Sequence, residues 1–471
     1  MNTRALIQLG SELLFTYRFG TLPADRALSQ YLRERRFLGG HDKKFLSETF
    51  YRVLRNLRRY DEAIASAYLG LVISEPRYSA GFPVTEPIGQ RAWASHSGPR
   101  DANDPDPEKA SELDRLTDSA RIGIAAIELG LEEASGVSEE LIRAWPDENI
   151  AGHRPPRDSM RAMTERAVEV AALYANSTEP SEAERRYSLP AWLWTLLAEG
   201  RHRDEVEPLA AALNAPAFPT FRINTLKTKI QAAHESLRAS GLEFTPGERC
   251  ATAVVLKARV APAQMPARES GWLEPQDEGS QLVGEYCGAK PGLSVIDACA
   301  GGGGKSLQLA AIMGDHGSIR AFDLDPDRLA VLSRRAPRAG ATIIDTTGRL
   351  QPGGAPPEGL APADLVLLDS PCSGVGSMRR APDSRWRLTA PRLETLRATQ
   401  AELLRNWAPY VKPGGVLVYV TCSLLYCENQ AQVEAFLSDH PEFTRDAADL
   451  ELDPVKSGTD GFYAARLRRK A

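Results

Sequence analysis

Between residues 46 and 57 the apolar positions are Leu46, Phe50, Val53, Leu54 and Leu57, at the three-and-four spacing of an amphipathic helix. Residues 1 to about 72 share this texture and read as helices, with Asp25 and Asp42 as N-caps. Residues 73 to 113 then collect Pro, Gly, Ser and Asp, from Ser74-Glu75-Pro76 to Asp104-Pro105-Asp106-Pro107, and predict a long exposed loop. Helical patterning resumes near Leu116 and runs, with breaks, to about Leu197; His153-Arg154-Pro155-Pro156 is one of those breaks. No fixed-period repeat is present. From about Pro219 the pattern becomes mixed α/β, and after Pro291 strands and helices alternate. Strands are expected at Leu293–Asp297, Ser318–Asp323, Thr342–Asp345, Leu365–Asp369 and Val416–Thr421. That alternation predicts an α/β fold with a doubly wound parallel sheet.

Composition changes this picture little. The chain has 471 residues, 42% of them hydrophobic, enough for about three domains with sizeable cores. No stretch reaches the ~18 apolar residues of a membrane span, so no membrane partner is expected. Six cysteines are too few for a disulfide scaffold, and with no apparent signal peptide the reduced cytoplasm is the expected compartment. The net charge of −5 argues against a nucleic-acid binder, but it hides a gradient: residues 1 to 60 hold 12 Lys or Arg against 5 Asp or Glu. Arg33, Arg35, Arg36, Lys43, Lys44, Arg52, Arg55, Arg58 and Arg59 make up most of that surplus. Such a face can bind phosphates, and it can equally be a solvated helix surface.

Candidate chemistry lies at the ends of the predicted strands, where ligands bind in open α/β sheets. The first strand ends Asp297-Ala298-Cys299-Ala300 and is followed by Gly301-Gly302-Gly303-Gly304-Lys305-Ser306. Glycine permits a tight turn and lets backbone N–H groups approach a ligand. A phosphate-binding P-loop would need glycine at position 299, which is Cys299. Asp323 ends the next strand about 20 residues on, the spacing of a carboxylate that takes the ribose hydroxyls of a nucleoside cofactor. Nicotinamide and S-adenosylmethionine enzymes share that pattern.

Two further strand ends carry thiols, in Asp369-Ser370-Pro371-Cys372-Ser373-Gly374 and Thr421-Cys422-Ser423. Carbon 5 of cytosine is a poor nucleophile until a thiolate adds to carbon 6, and a base must then remove the carbon 5 proton. Cys372 and Cys422 are the candidate thiols and Asp369 the carboxylate beside them. Cys250, Cys287 and Cys427 read as structural, and Cys422 with Cys427 has no second pair to complete a zinc site, so no metal is expected.

These residues resemble the Sun/RsmB-type RNA (cytosine-5)-methyltransferases. The resemblance runs through residues 219 to 471. It includes Arg222-Ile223-Asn224-Thr225-Leu226-Lys227, Pro275-Gln276-Asp277-Glu278-Gly279-Ser280-Gln281, the loop from Asp297 to Lys305, and Asp369 to Gly376. It continues through Arg379-Arg380-Ala381-Pro382-Asp383 and Trp386, Thr421-Cys422-Ser423 with Glu428-Asn429, and Asp460-Gly461-Phe462-Tyr463. The N-terminal part is similar to the NusB-like helical RNA-binding domain of the RsmB branch, which modifies small-subunit ribosomal RNA.

The resemblance implies a Rossmann-like methyltransferase sheet over residues 286–471, a mixed α/β connecting part over 201–285 and a helical NusB-like domain over 1–200. It implies S-adenosylmethionine as cofactor, held by Cys299, Ala300, Gly301, Gly302, Gly303, Gly304, Lys305, Asp323, Asp345 and Asp369. Cys422 is then the nucleophile, Cys372 assists product release, and Asp369 also lies near the target base. Arg222, Asn224, Lys227, Arg379, Arg380 and Trp386 are expected to hold RNA; loop packing is the other reading for the last three. The partner is ribosomal RNA and the protein is expected to be a monomer. The chain departs from the family in its longer glycine loop, in Ser370 for the usual Ala, and at the third cofactor carboxylate, where either Asp345 or Thr347 takes the place. A DNA cytosine-5 methyltransferase would need Gln after Cys372, and an amino-methylating enzyme would need Asp/Asn-Pro-Pro-aromatic where this chain has Asp369-Ser370-Pro371-Cys372. An inactive RNA-binding relative would not need to keep Cys422, Cys372, Lys305 and Asp323.

Overall fold

The computed structural model describes residues 3–18, 20, 22–72, 107–130, 134–143, 157–176, 186–258, 260, 265–350 and 354–471. The chain divides into two units, one of residues 1–195 with Ala381–Arg387, the other of residues 196–380 with 388–471.

The first unit is helical. Its helices are α1 (Thr3–Arg18), α2 (Ala24–Glu34), α3 (Gly40–Val72), α4 (Pro107–Glu128), α5 (Ala134–Arg143) and α6 (Arg157–Asn176). Leu46, Phe50, Val53, Leu54 and Leu57 all face one apolar core, as their spacing predicts. Two sequence expectations change. Residues 107–113, expected as loop, open α4, whereas residues 73–106 of the expected loop and the break near Pro155 lie outside the described residues. Asp25 and Asp42 sit in first helical turns rather than at N-caps, and Asp42 Oδ2 accepts the Gly39 N–H at 2.9 Å.

The second unit holds two sheets. The strands of the smaller are β1 (Thr220–Ile223), β2 (Phe244–Pro246), β3 (Ala253–Leu256) and β4 (Leu273–Pro275), antiparallel in the order β2-β3-β1-β4. With α7 (Ile230–Ala239) they enclose a core of Phe221, Ile223, Leu237, Val254 and Leu273.

The larger sheet has strands β5 (Ser294–Asp297), β6 (Ser318–Ala321), β7 (Ile344–Asp345), β8 (Ala363–Asp369), β9 (Val411–Thr421), β10 (Phe443–Arg445), β11 (Leu450–Leu452) and β12 (Phe462–Arg469). Their order is β10-β12-β9-β8-β5-β6-β7, with β11 beside β12. The five strands expected from sequence are all present and mutually parallel, although β7 is shorter and β9 longer than expected. β12 closes the sheet antiparallel to β9. In β8, Leu365 and Leu367 enter the core on one face, and Val366 and Leu368 the core on the other. A strand buried on both faces reads as an unbroken apolar run, and this is why the strand was legible in sequence. Helices α8 (Gly304–Ile312), α9 (Pro326–Ala339), α10 (Ala390–Trp407) and α11 (Gln430–Asp439) follow β5, β6, β8 and β9.

The chain runs from β5 outward to β6 and β7, then returns to β8 on the other side of β5. The order therefore reverses between β5 and β8, and that switch point is where such sheets bind ligands.

Candidate active site

The loop after β5 begins under Asp297, which is buried. The Ser306 hydroxyl donates to Asp297 Oδ2. Burial pushes this carboxyl up to about 7. Gly301 and Gly303 take left-handed φ values of 53° and 85°. At Gly303 glycine is needed twice, because an added Cβ would also lie 2.2 Å from Leu332. At Gly301 and Gly304 an added Cβ would meet nothing within 4 Å, so these two face open space. Asp323, just beyond β6, is tied to this loop: its Oδ2 accepts the Gly301 N–H at 2.8 Å and its Oδ1 the Asp325 N–H at 2.8 Å. Leu324 beside it is 66% exposed. Asp345 ends β7, and its Oδ1 accepts both the N–H and the hydroxyl of Thr347, at 2.8 and 2.7 Å. The two candidates for the third carboxylate thus share one turn. Those hydrogen bonds hold the Asp345 carboxyl below its ordinary range.

Lys305 Nζ, at the start of α8, donates to Asp369 Oδ2 at 2.7 Å. Burial alone would lower this ammonium, but the Asp369 carboxylate more than offsets it and holds Lys305 charged. Four carboxylates (Asp297, Asp323, Asp345, Asp369) and an ammonium thus line the carboxyl edge of β5 to β8. An edge with glycine backbone, acceptors for hydroxyls, an apolar face at Leu324 and carboxylates at Asp323, Asp345 and Asp369 suits a cationic nucleoside ligand.

The two thiols meet because of strand register. Asp369 of β8 pairs with Val420 of β9, and the Ser370 N–H donates to Val420 O at 2.9 Å. Cys372 and Cys422 therefore leave adjacent strands at the same level, and their sulfurs stand 3.4 Å apart. Both are partly buried. The hydrogen bond from Cys372 lowers the Cys422 thiol; burial and Asp369 oppose this, and Lys305 and the Ser377 hydroxyl reinforce it. Cys372 is pushed well up, first by that same hydrogen bond and then by burial. Of the two, Cys422 is therefore the more readily ionised thiol. Cys250, Cys287 and Cys427 have no such arrangement, and burial pushes them up to about 11, about 12 and about 11.

The expected RNA contacts are placed differently. Arg222 is buried and donates to Gln276 Oε1 at 2.7 Å. Asn224, also buried, donates to Gly271 O and Ala339 O at 2.9 and 2.8 Å. Arg380 donates to Asp277 Oδ2 at 2.6 Å and to Asp460 Oδ2 at 2.6 Å, and Arg379 Nε donates to Asp460 Oδ1. Trp386 belongs to the helical unit's core, where its indole N–H donates to Leu54 O at 2.7 Å. Of the six, Lys227 alone is exposed. The basic face of the helical unit is likewise narrower than the sequence predicts. Arg59 is buried and pairs with Glu128, which also takes Arg52, while Arg58 donates to Leu189 O. Arg33, Arg36, Lys43 and Lys44 stay exposed. Among the described residues no cluster is suited to a metal ion, and no helix is long and apolar enough to cross a membrane.

Sequence reasoning passed over one group. Glu428 is fully buried and touches both cysteine loops; only its place after Thr421-Cys422-Ser423 marked it in the sequence.

A switch-point glycine loop, an acidic strand edge and a paired thiol define a Rossmann-like methyltransferase. Comparison with known proteins narrows the class. Residues 288–468 match the family described as 16S rRNA methyltransferase RsmB/F, and residues 189–262 match its ferredoxin-like domain. A Synechocystis protein named probable ribosomal RNA small subunit methyltransferase B is 37% identical over 302 residues, covering 60% of this chain and 67% of that one. Its Bacillus subtilis counterpart, with the same name, is 32% identical over 301 residues, with the same coverage. These matches span about two thirds of the relatives' length. In fold, the chain is similar to the crystal structure of PH0851, with TM-score 0.72 and 23% identity over 100% of this chain and 99% of that one. It is also similar to NSun6 from Pyrococcus horikoshii with SFG, with TM-score 0.53 and 18% identity over 60% of this chain and 98% of that one. The chain belongs to the RsmB/F family of rRNA methyltransferases, whose cofactor is S-adenosylmethionine.

Proposed function

We propose that this protein methylates carbon 5 of a cytosine in small-subunit ribosomal RNA through a covalent adduct of Cys422. The observation that carries this reading is the thiol pair, sulfur to sulfur at 3.4 Å, at the edge of the cofactor loop. Residues Cys299 to Lys305, Asp323, Asp345 and Asp369 would hold S-adenosylmethionine, which when bound supplies an electrophilic methyl group. The Cys422 thiolate forms a bond to carbon 6, and the electrons of the 5,6 double bond pass to carbon 5, making it nucleophilic. Reaching carbon 6 requires the base to leave its stack.

The second half of the reaction falls to Cys372. The hydrogen bond to the Cys422 thiolate and its negative charge are two of the causes that hold the Cys372 proton. Once Cys422 sulfur is bonded to carbon, it carries no charge and both causes vanish. Cys372 then releases its proton to solvent more readily and, as the thiolate, can take the carbon 5 proton. The double bond re-forms, the carbon–sulfur bond breaks, and Cys422 leaves as the thiolate. Forming the adduct thereby prepares the base that resolves it.

The test follows labelled methyl transfer from S-adenosylmethionine to unmodified small-subunit ribosomal RNA. Label in 5-methylcytosine with the wild type, none with Cys422→Ala, and an RNA–protein adduct with Cys372→Ala are the expected results. An adduct that needs Cys372 instead would reverse the roles. No label with the wild type would sink the reading. Action on ribosomal RNA, a monomeric state and a cytoplasmic place belong to this same proposal. Weaker RNA binding at higher salt is expected, because phosphate contacts release counterions.

A further inference from the structure

Each reacting thiol is followed by a serine. Cys372-Ser373 lies in the loop after β8 and Cys422-Ser423 in the loop after β9. The serine hydroxyls lie 3.2 Å apart, beside the sulfurs at 3.4 Å. Both hydroxyls donate to Glu428 Oε2. Glu428 Oε1 accepts the Ser373 N–H at 2.8 Å and Gln400 Nε2 at 3.0 Å. The turn that presents this carboxylate is itself pinned to β9: the Tyr419 hydroxyl donates to Glu428 O at 2.6 Å, and Asn429 Nδ2 donates to Ser423 O at 3.0 Å.

Glu428 is fully buried, and its four donors are all neutral. A carboxylate out of water without a cation is costly, and an amide of the same shape would carry none of that cost. The position of the charge supplies a reason for it. The Glu428 charge acts on Cys372, whereas those of Lys305 and Asp369 act on Cys422.

We propose that Glu428 is a positioning residue for the thiol pair: through Ser373 and Ser423 it holds the two Cys-Ser dipeptides in register, with a buried carboxylate beside them. The proposal rests on the two-thiol reading above but can be tested apart from it. The groups that face the pair are Lys305 at the start of α8, Asp369 at the end of β8, the Ser377 hydroxyl, Tyr419 in β9, and Glu428 after β9. Of these, Glu428 accepts from the serine that follows each cysteine.

The experiment uses the full chain without RNA. Alkylation of Cys422 and Cys372 by iodoacetamide is followed by site-resolved mass spectrometry across pH, for the wild type, Glu428→Gln, and the double variant Ser373→Ala with Ser423→Ala. In the wild type Cys422 reacts at lower pH than Cys372. In Glu428→Gln the Cys422 profile moves to higher pH, slowing its alkylation about tenfold near neutral pH, and the Cys372 profile moves down. The serine double variant keeps the charge and loosens the register, so Cys422 moves in the same direction by less. Unchanged profiles in variants that melt like the wild type would overturn the assignment. If Glu428→Gln does not fold, an unchanged Cys422 profile in the serine variant overturns it alone. A wild type that shows these thiol shifts and methylates no RNA would refute the proposed reaction and leave Glu428 its role. Methyl transfer with unshifted thiols would refute Glu428 alone.

Discussion

The loops after β8 and β9 carry the same Cys-Ser dipeptide on adjacent parallel strands, yet their thiols are held in opposite states. Cys422 is lowered by a donated hydrogen bond, with Lys305 and the Ser377 hydroxyl adding to it. Cys372 is raised by that same bond, by burial and by the charges of Cys422 and Glu428. The Cys-Ser dipeptide is the same in the two loops, so the dipeptide alone does not separate the thiols. The charges around each sulfur do, as for other cysteines whose reactivity follows their surroundings.

The sharpest way to break this comparison is to remove one thiol at a time. Cys422→Ala is expected to lose methyl transfer by roughly 10³-fold or more, read as label in RNA. Cys372→Ala is expected to pass the first half-reaction and stall, read as a protein–RNA band that survives denaturation.

A smaller effect tests the buried carboxyl under the glycine loop. Asp297 is pushed up to about 7 by burial, so the folded protein holds a proton there that the unfolded chain has released. Stability from that proton is full below the ordinary carboxyl pKa and is lost as pH rises through about 7. Asp297→Asn should therefore raise the melting temperature at alkaline pH, by an effect on the order of a few kcal/mol, and change it little in acid. Equal shifts at both ends of the pH range would refute the assignment.

Lys305→Met takes the cation from the Cys422 side alone. Alkylation of Cys422 should slow about tenfold near neutral pH, while Cys372 changes less. Ser377→Ala removes one hydroxyl from the same side and should slow Cys422 about threefold, the scale of one modest hydrogen bond. A larger effect on Cys372 than on Cys422 in either variant would contradict the arrangement described here.

Legibility in the sequence followed burial and backbone. The apolar runs of β8 and β9 could be read because both faces are covered, and the loop from Cys299 to Lys305 because glycine alone takes the backbone it needs at Gly303. The helical face at Leu46 to Leu57 was legible for the same reason. Charged side chains were read less well. Arg222, Arg379 and Arg380 look like RNA contacts in a string of motifs, but Gln276, Asp277 and Asp460 come to them from far along the chain. Trp386 sits among methyltransferase motifs and is folded into the helical core. Arg59 belongs to a basic run and is claimed by Glu128. A long cationic or aromatic side chain has several possible uses, and distant partners decide among them.

The sequence by itself determined the order of strands, the glycine loop, the presence of two strand-end thiols and the family to which they belong. These depend on local periodicity and on residue types that chemistry cannot exchange. The tertiary structure alone decided that the sulfurs meet at 3.4 Å, that Glu428 joins their loops and that the two thiols are shifted in opposite directions. Those outcomes depend on strand register and on charges brought close from distant positions, and electrostatic energy is set by distance and burial, which a linear string does not contain.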